Sequence, residues 1–321
     1  MWNKKDILDY CWDNFNLPAE VFKSYDNPNR HYHSFNHIID MVNSHISSSA
    51  VTDNQLFLAI MFHDIVYNPK ESDNEYNSAA FFRVIMDRYK VTSRMVTDKI
   101  SDAILQTKYC LDSPSTGLGR DLVKLDLEIL NCGDIKRYMD YEHGIFKEYQ
   151  WVDLKKYKFV RLEILKRLHA SKVLIDYMEA YKPKIGLYAG SFNPFHKGHL
   201  NILEKAEKVF DKVIIARGIN PEKEKATCEF PNKIMNRQVE KYDGLITDFI
   251  KGLGYPVTLI RGLRDANDLL YESTQISYLK DLMPEVNVIE IICDREFNHI
   301  SSSAIRNLKK YSETDAERYI V

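Results

Sequence analysis

Residues 185–199 read IGLYAGSFNPFHKGH, and this stretch decides the fold of the carboxy-terminal half. A short apolar run, Ile185 to Ala189, stops at Gly190, and a segment with helical spacing begins at His199 and runs to Val209. A strand that turns into a helix sets the helix's unpaired N–H groups opposite its own carboxyl end, where they attract phosphate. Gly190 and Gly198 let the backbone approach a ligand closely, and His196 and His199, three positions apart, can aim both imidazoles at one anion. In isolation the same turn serves equally well as a helix cap with a satisfied surface histidine.

The surroundings repeat the pattern. Short β-branched runs at Val213 to Ala216, Val257 to Ile260 and Val286 to Ile292 alternate with helical segments at Leu245 to Lys251 and Asn267 to Leu282. That alternation predicts a parallel sheet with helices on both faces. Arg261-Gly262-Leu263-Arg264 directly follows one strand, and Ile300-Ser301-Ser302-Ser303-Ala304-Ile305-Arg306 follows the last and begins a helix. Serine hydroxyls and arginine forks both suit phosphate oxygens, so three strand ends are expected to present anion-binding groups at one edge of one sheet.

Upstream, the rhythm is helix after helix: Gln55 to Tyr67, Val96 to Thr107, Leu122 to Leu130 and Tyr157 to Leu168. Lys182-Pro183-Lys184 breaks it, which predicts one domain over 1–181 and a second over 184–321. A chain of 321 residues supports that division. Lys plus Arg (44) nearly balance Asp plus Glu (46), which gives no reason to expect nucleic acid or an acidic membrane as a partner. Cys11, Cys110, Cys132, Cys228 and Cys293 form no CxxC pair, so neither a disulfide framework nor a cysteine zinc site is expected. The charged amino terminus and the lack of a run near ~20 apolar residues predict a cytoplasmic, membrane-free protein.

Within Gln55 to Tyr67, Leu56 to Phe62 is apolar on every side and ends in His63-Asp64. A helix of that kind is buried, and an adjacent imidazole and carboxylate at its end are costly without a partner. Alone, His63-Asp64 reads more readily as a core histidine oriented by its neighbour. A divalent ion is the chemical alternative, its shell completed from Arg30-His31-Tyr32-His33-Ser34-Phe35-Asn36-His37 and from Leu125-Asp126-Leu127. Two nitrogens and two oxygens suit a borderline or hard ion with open sites for water.

GSFNPFHKGH together with ISSSAIR resembles the nucleotidyltransferase superfamily marked by (H/T)xGH and ISSxxxR. Phe210 to Ile215, Ile219 to Lys223 and RGLRDANDLLYE, residues 261–272, are similar to the bacterial phosphopantetheine adenylyltransferases. That resemblance covers nearly all of residues 184–321 and implies a Rossmann-like α/β nucleotidyltransferase that moves AMP from ATP to phosphopantetheine, with Mg2+ carried on the triphosphate. It implies that His196 and His199 hold phosphates and the transition state, with Ser191 at both substrates' phosphates. Lys223 and Arg261 would bind the acceptor phosphate. Gly190, Phe192, Arg264, Glu272, Ser301, Ser302 and Ser303 would complete the ATP site.

Asn193 stands where these relatives usually carry aspartate, and the stretch from Lys223 to Asp243 is short and lacks a PLF continuation. GSFNPFHKGH alone is closer to the nicotinate or nicotinamide mononucleotide adenylyltransferases. Another acceptor, adenylyl or cytidylyl transfer, or nucleotide sensing without turnover therefore stay open.

In the amino-terminal half, YHSFNHI, FHDIVYNPKESDNE and KLDLEIL, in that order, resemble predicted metal-dependent HD-superfamily phosphohydrolases over most of residues 20–175. The resemblance implies an all-α HD-domain helical bundle with His37, His63, Asp64 and Asp126 as ligands of one divalent metal, Mn, Mg, Fe, Co, Ni or Zn. Tyr109 and Cys110 stand where a second histidine-rich shell would be needed, which favours a single ion. His33, Asp73 and Glu75 would carry protons or contact phosphate; Lys108 reads either as neutralising substrate phosphate or, more commonly, as an exposed lysine. The whole chain is then expected to be a bifunctional transferase and hydrolase, with a homo-oligomer compatible with the transferase half.

Overall fold

The computed structural model describes residues 1–48, 53–108, 116–219 and 230–321. They divide into two compact units, Met1–Tyr149 with Lys158–Ala180, and Gln150–Tyr157 with Tyr181–Val321.

The first unit is helical throughout its described residues, with α1 Lys4–Phe15, α2 Phe35–Ser48, α3 Asn54–Phe62, α4 Asn74–Tyr89, α5 Arg94–Leu105, α6 Gly117–Asp126, α7 Ile135–Glu148, α8 Leu154–Arg167 and α9 Lys172–Ala180. The first residues of α8 cluster with the other unit. Asp53 caps α3 by accepting from the N–H groups of Gln55 and Leu56. Every residue from Leu56 to Phe62 is buried, so α3 is the spine around which Ile38, Phe82, Ile100 and Leu122 pack. The helix ends at Phe62, earlier than the apolar pattern through Tyr67 predicts, which leaves His63 and Asp64 in the turn beyond it.

The second unit carries β1 Ile185–Gly190, α10 Lys197–Ala206, β2 Lys212–Ile219, β3 Val239–Asp243, α11 Ile246–Leu253, β4 Thr258–Leu263, α12 Ala266–Leu282, β5 Asn287–Ile292, α13 Ser302–Lys309 and α14 Glu313–Glu317. All pairings are parallel, in the order β3-β2-β1-β4-β5. The chain leaves β1 toward β2 on one side and returns to β4 on the other, so the carboxyl ends of β1 and β4 open a crevice where an α/β sheet holds its ligand. β1 and β2 are buried almost end to end, the continuous apolar run expected of strands covered on both faces.

β3 went unpredicted because VEKYD alternates charge with half-buried positions and, among the described residues, pairs with β2 alone, from Ile215↔Val239 to Ile219↔Asp243. The segment Gln150–Tyr157, expected on the amino-terminal side, clusters with the sheet through bonds that sequence cannot show. The Gln150 carbonyl accepts from the Gln238 N–H at 3.0 Å and from buried Lys212, whose ammonium also reaches the Val152 carbonyl at 2.9 Å. Tyr255 donates to Asp153 at 3.1 Å.

Mid-strand in β1, Gly186 leaves no room for a side chain: a Cβ there would lie 2.6 Å from Ile260 and 2.9 Å from the Phe210 ring. Gly186→Ala is expected to destabilise this unit by about 1–3 kcal/mol, the usual range for overpacking. Calorimetry of the intact chain measures it, and an unmoved transition would contradict the packing.

Candidate functional site

The crevice at the ends of β1 and β4 is a cavity of about 540 Å³. It brings together Gly190, Ser191, Phe192, His196, His199, Arg261, Arg264, Glu272, Ser301, Ser302 and Ser303, with Asp268, Tyr271 and Arg306 beside them. Lys223, the remaining residue expected here, lies outside the described residues.

His196 is the N-cap of α10, and its Nδ1 accepts the His199 N–H at 3.3 Å while the His199 Nδ1 accepts the His196 N–H at 3.3 Å. This reciprocal pattern is the usual N-terminal capping box built from two imidazoles. The rings stack with centroids 3.5 Å apart. With each Nδ1 accepting, a neutral ring carries its proton on Nε2, so both present an N–H donor. Burial, helped by the Arg264 charge, lowers the His196 pKa to about 4. His199 is held well below its ordinary value by burial, then by His196 and Arg264. The free site therefore offers two neutral donors.

Phe192, at φ 46°, folds its ring over Gly190, where a Cβ would meet it at 3.0 Å. The ring lies edge-on to His199 at 5.0 Å. Across the crevice, Arg261 is held by Glu272 through Nε (2.6 Å) and Nη2 (2.8 Å), and Arg264 by Asp268 through Nε (2.8 Å) and Nη2 (2.7 Å). Ser301 caps α13 by accepting the Ala304 N–H, and Ser302 donates to the Pro194 carbonyl at 3.0 Å. Arg306 donates to the main-chain oxygen of Asn193. These bonds tie α13 to the loop after β1. Two basic forks, serine hydroxyls, a helix N-terminus and two imidazole donors form an arrangement for a polyphosphate.

A second cluster lies in the helical unit. His37 from α2, His63 and Asp64 from the turn after α3, and Asp126 at the end of α6 converge there. One ligand atom from each of His37, His63 and Asp64 lies within 4.8 Å of the others. The His37 Nε2 is 3.0 Å from Asp126 Oδ1, and the His63 Nε2 is 3.1 Å from Asp64 and 3.8 Å from Asp126.

The His63 Nδ1 bonds the Ile60 carbonyl at 2.9 Å, an interaction that requires the proton there. Its buried Nε2 faces two carboxylates, Asp64 and Asp126. A lone pair so placed is repelled unless a proton or a cation sits between, and this donor set fits a divalent metal. Against burial, Asp64 and then Asp126 raise the His63 pKa to about 9. Despite burial, His63, His33 and His37 keep the Asp64 carboxyl well below the ordinary range.

His33 stands beside this cluster, its ring 6.3 Å from that of His37 and stacked at 4.1 Å on Tyr67. Glu148, which sequence reasoning missed, holds it. Its Oε1 accepts the N–H groups of His31, Tyr32 and His33 at 2.7–2.9 Å, and its Oε2 takes the His33 Nδ1 at 2.6 Å and the Tyr67 hydroxyl at 2.9 Å. Burial opposes ionisation, yet His33 and these bonds bring the Glu148 carboxyl down to about 2. Arg30 fastens the same loop to the carbonyls of Asp64 (2.7 Å) and Ile65 (2.9 Å). Asp73, the exposed cap residue before α4, and Glu75 in its first turn make no hydrogen bond to the cluster among the described residues. Lys108 donates to the Ser72 carbonyl at 2.6 Å.

The cytidylyltransferase-like family matches residues 187–308. Phosphopantetheine adenylyltransferase of Rhodopirellula baltica is 33% identical over 140 residues, which cover 41% of this chain and 78% of that protein. The protein of that name from Streptococcus pneumoniae strain CGSP14 is 37% identical over 143 residues, 40% of this chain and 86% of its own length. No described helix is long and apolar enough to cross a membrane. Through its sheet unit the chain belongs to the phosphopantetheine adenylyltransferase family, within the cytidylyltransferase-like nucleotidyltransferases.

Proposed function

We propose that the sheet unit transfers AMP from MgATP to the 4′-phosphate of phosphopantetheine, giving dephospho-CoA and pyrophosphate. The observation that carries this reading is the convergence of both histidines, both arginines and the serines of α13 on one cavity. An acceptor phosphate oxygen attacks the α-phosphorus as the bond to the bridging oxygen of pyrophosphate breaks. The nucleophile is already ionised near neutral pH, so no general base is required.

The chain's work is alignment and charge. His199 and His196 donate from Nε2 to phosphate oxygens as charge shifts toward the leaving group, and Arg264 binds the triphosphate with Ser301 to Ser303. Arg261, with Lys223 and Ser191, takes the acceptor phosphate. Asn193 in place of aspartate leaves one interaction intact, because its main-chain oxygen is what Arg306 bonds.

Pyrophosphate release is expected with ATP and phosphopantetheine and absent with nicotinamide mononucleotide or with CTP. Release only with another acceptor would reassign the reaction, and tight ATP binding without release from any would make this a sensor. His199→Ala is expected to lower kcat by about 10²–10³-fold, the usual loss of one transition-state donor.

The histidines also set a pH dependence. A pKa lowered to about 4 in the folded chain means that the unfolded chain binds more protons between that value and its own, near 6.5. Stability from His196 is thus full above about pH 6.5 and is lost as pH falls toward about 4. The melting temperature of the sheet unit should fall across that window and fall less in His196→Asn. A profile identical for the two proteins would contradict the assignment.

For the helical unit we propose hydrolysis of a phosphate ester or nucleotide at a single divalent ion held by His37, His63, Asp64 and Asp126. The His63 Nε2, buried against the carboxylates of Asp64 and Asp126, favours it. Such an ion supplies Lewis acidity and lowers the pKa of water. His33, fixed by Glu148, would move a proton at its Nε2. Metal-free protein titrated with Mn2+ is expected to bind one ion per chain and to melt higher as the ion saturates, with both effects lost in Asp64→Asn. Failure to bind Mn2+, Zn2+ or Fe2+ would refute the site.

A further inference from the structure

Tyr188 of β1 lines the crevice, yet it is only 4% exposed. Among the described residues its hydroxyl makes no hydrogen bond. A buried hydroxyl without a partner is costly, so one kept in that state at a cavity wall points to a ligand.

The surroundings of the hydroxyl narrow the choice. Tyr188 pairs in register with Ile260 of β4, and its hydroxyl abuts Gly262, where a Cβ would lie 3.4 Å from it and 3.1 Å from Ile202. The ring lies 5.0 Å from that of Phe192 and 6.5 Å from that of His199. Next to Gly262 the lining turns apolar, with Ile202 and with Leu263, whose carbonyl accepts the Cys293 N–H at 2.8 Å. An uncharged donor therefore stands where the phosphate-binding histidines meet an apolar wall suited to a base.

We propose that Tyr188 donates its hydroxyl hydrogen to a ribose hydroxyl oxygen of the bound nucleotide, and that this bond helps the chain select a ribonucleotide over a deoxyribonucleotide. The proposal rests on the adenylyl-transfer reading for the identity of its ligand, ATP. Ribose is the part of ATP that joins phosphate to base, and its oxygens are neutral. The phosphates already have guanidinium forks, imidazole donors and a helix N-terminus, whereas a neutral phenol matches a neutral acceptor. Burial pushes the Tyr188 pKa well above the ordinary phenol range, and the Arg261 charge offsets this only in part, so the group keeps its proton. A donor with no competing partner in the protein is left unmet when the ligand lacks the matching oxygen, which is how a site rejects such an analogue.

The test measures, by calorimetry on the intact chain with Mg2+, the affinities for ATP, 2′-deoxy-ATP, 3′-deoxy-ATP and inorganic tripolyphosphate. Wild type is compared with Tyr188→Phe, which removes one oxygen atom, and melting curves control for folding. Tyr188→Phe is expected to weaken ATP about tenfold, the loss of one hydrogen bond, and to leave tripolyphosphate within about twofold. In wild type one of the two deoxynucleotides is expected to bind about tenfold more weakly than ATP, and Tyr188→Phe to weaken that nucleotide by no more than about twofold further.

An unchanged ATP affinity in Tyr188→Phe, an equal loss for tripolyphosphate, or a loss for both deoxynucleotides as large as for ATP would each overturn the proposal. Should Tyr188→Phe fail to fold, Tyr188→Met enters the same cycle with the same criteria. A wild-type chain that binds ATP but does not turn over phosphopantetheine would defeat the functional reading, while the nucleotide affinities would still decide the role of Tyr188. A wild-type chain that binds no ATP would overturn both.

Discussion

The sheet unit depends on one reciprocal interaction, the exchange of hydrogen bonds between the backbones and imidazoles of His196 and His199. It caps α10, so the helix begins where β1 ends, and it spends each ring's Nδ1 on structure. What remains for chemistry is the Nε2–H, fixed in direction by the cap itself. An aspartate cap would satisfy the same backbone donors while placing a negative charge where phosphate must sit. An imidazole cap, neutral because burial and Arg264 keep it so, stabilises the helix without repelling the ligand. Gly190 suits this arrangement, since a Cβ there would press on the Phe192 ring at 3.0 Å.

The arginines solve a related problem. Two free guanidinium groups near an electropositive helix end would repel one another before ligand binds. Their pairing with Glu272 and Asp268 balances both charges, while the Nη1 edges stay available. The charges of Arg261 and Arg264 are thus balanced within the cavity, which leaves Arg306 as its unbalanced cation among the described residues. Selectivity for a phosphate then comes from geometry, consistent with a chain whose overall charge is only −2.

Much of this was legible in sequence because it is local. The strand, turn and helix of residues 185–209 lie in one stretch, and the RGLR and ISSS segments announce themselves by following apolar runs. The expected crevice residues all line one cavity, apart from Lys223, which the described residues do not include. What escaped is what depends on distance along the chain. Glu148 gathers five donors, four of them more than a hundred positions away, and nothing in its own neighbourhood marks it. The docking of Gln150–Tyr157 rests on backbone carbonyls that accept from Lys212 and Gln238, and carbonyls have no sequence signature. β3 was hidden because an edge strand need satisfy only one neighbour, so charged residues are tolerated along it. Glu272 was recognised as part of the site, but its partner was not, because Arg261 lies on β4 and Glu272 on α12, and no single period links residues of a strand and a helix.

The helical unit shows the complementary use of the same residue types. In the sheet unit burial strips charge from histidine, and the ring serves as a neutral donor. In the helical unit two carboxylates overcome burial, so His63 faces a concentrated negative charge. The difference lies in which nitrogen the backbone claims and what faces the other. The Ile60 carbonyl claims Nδ1 as a donor, which turns the Nε2 lone pair toward Asp64 and Asp126, whereas backbone N–H groups claim the Nδ1 atoms of His196 and His199 as acceptors. A backbone acceptor at Nδ1 fixes that nitrogen as the donor, and a backbone donor fixes it as the acceptor. The local bond at Nδ1 thus sets what each ring presents at Nε2.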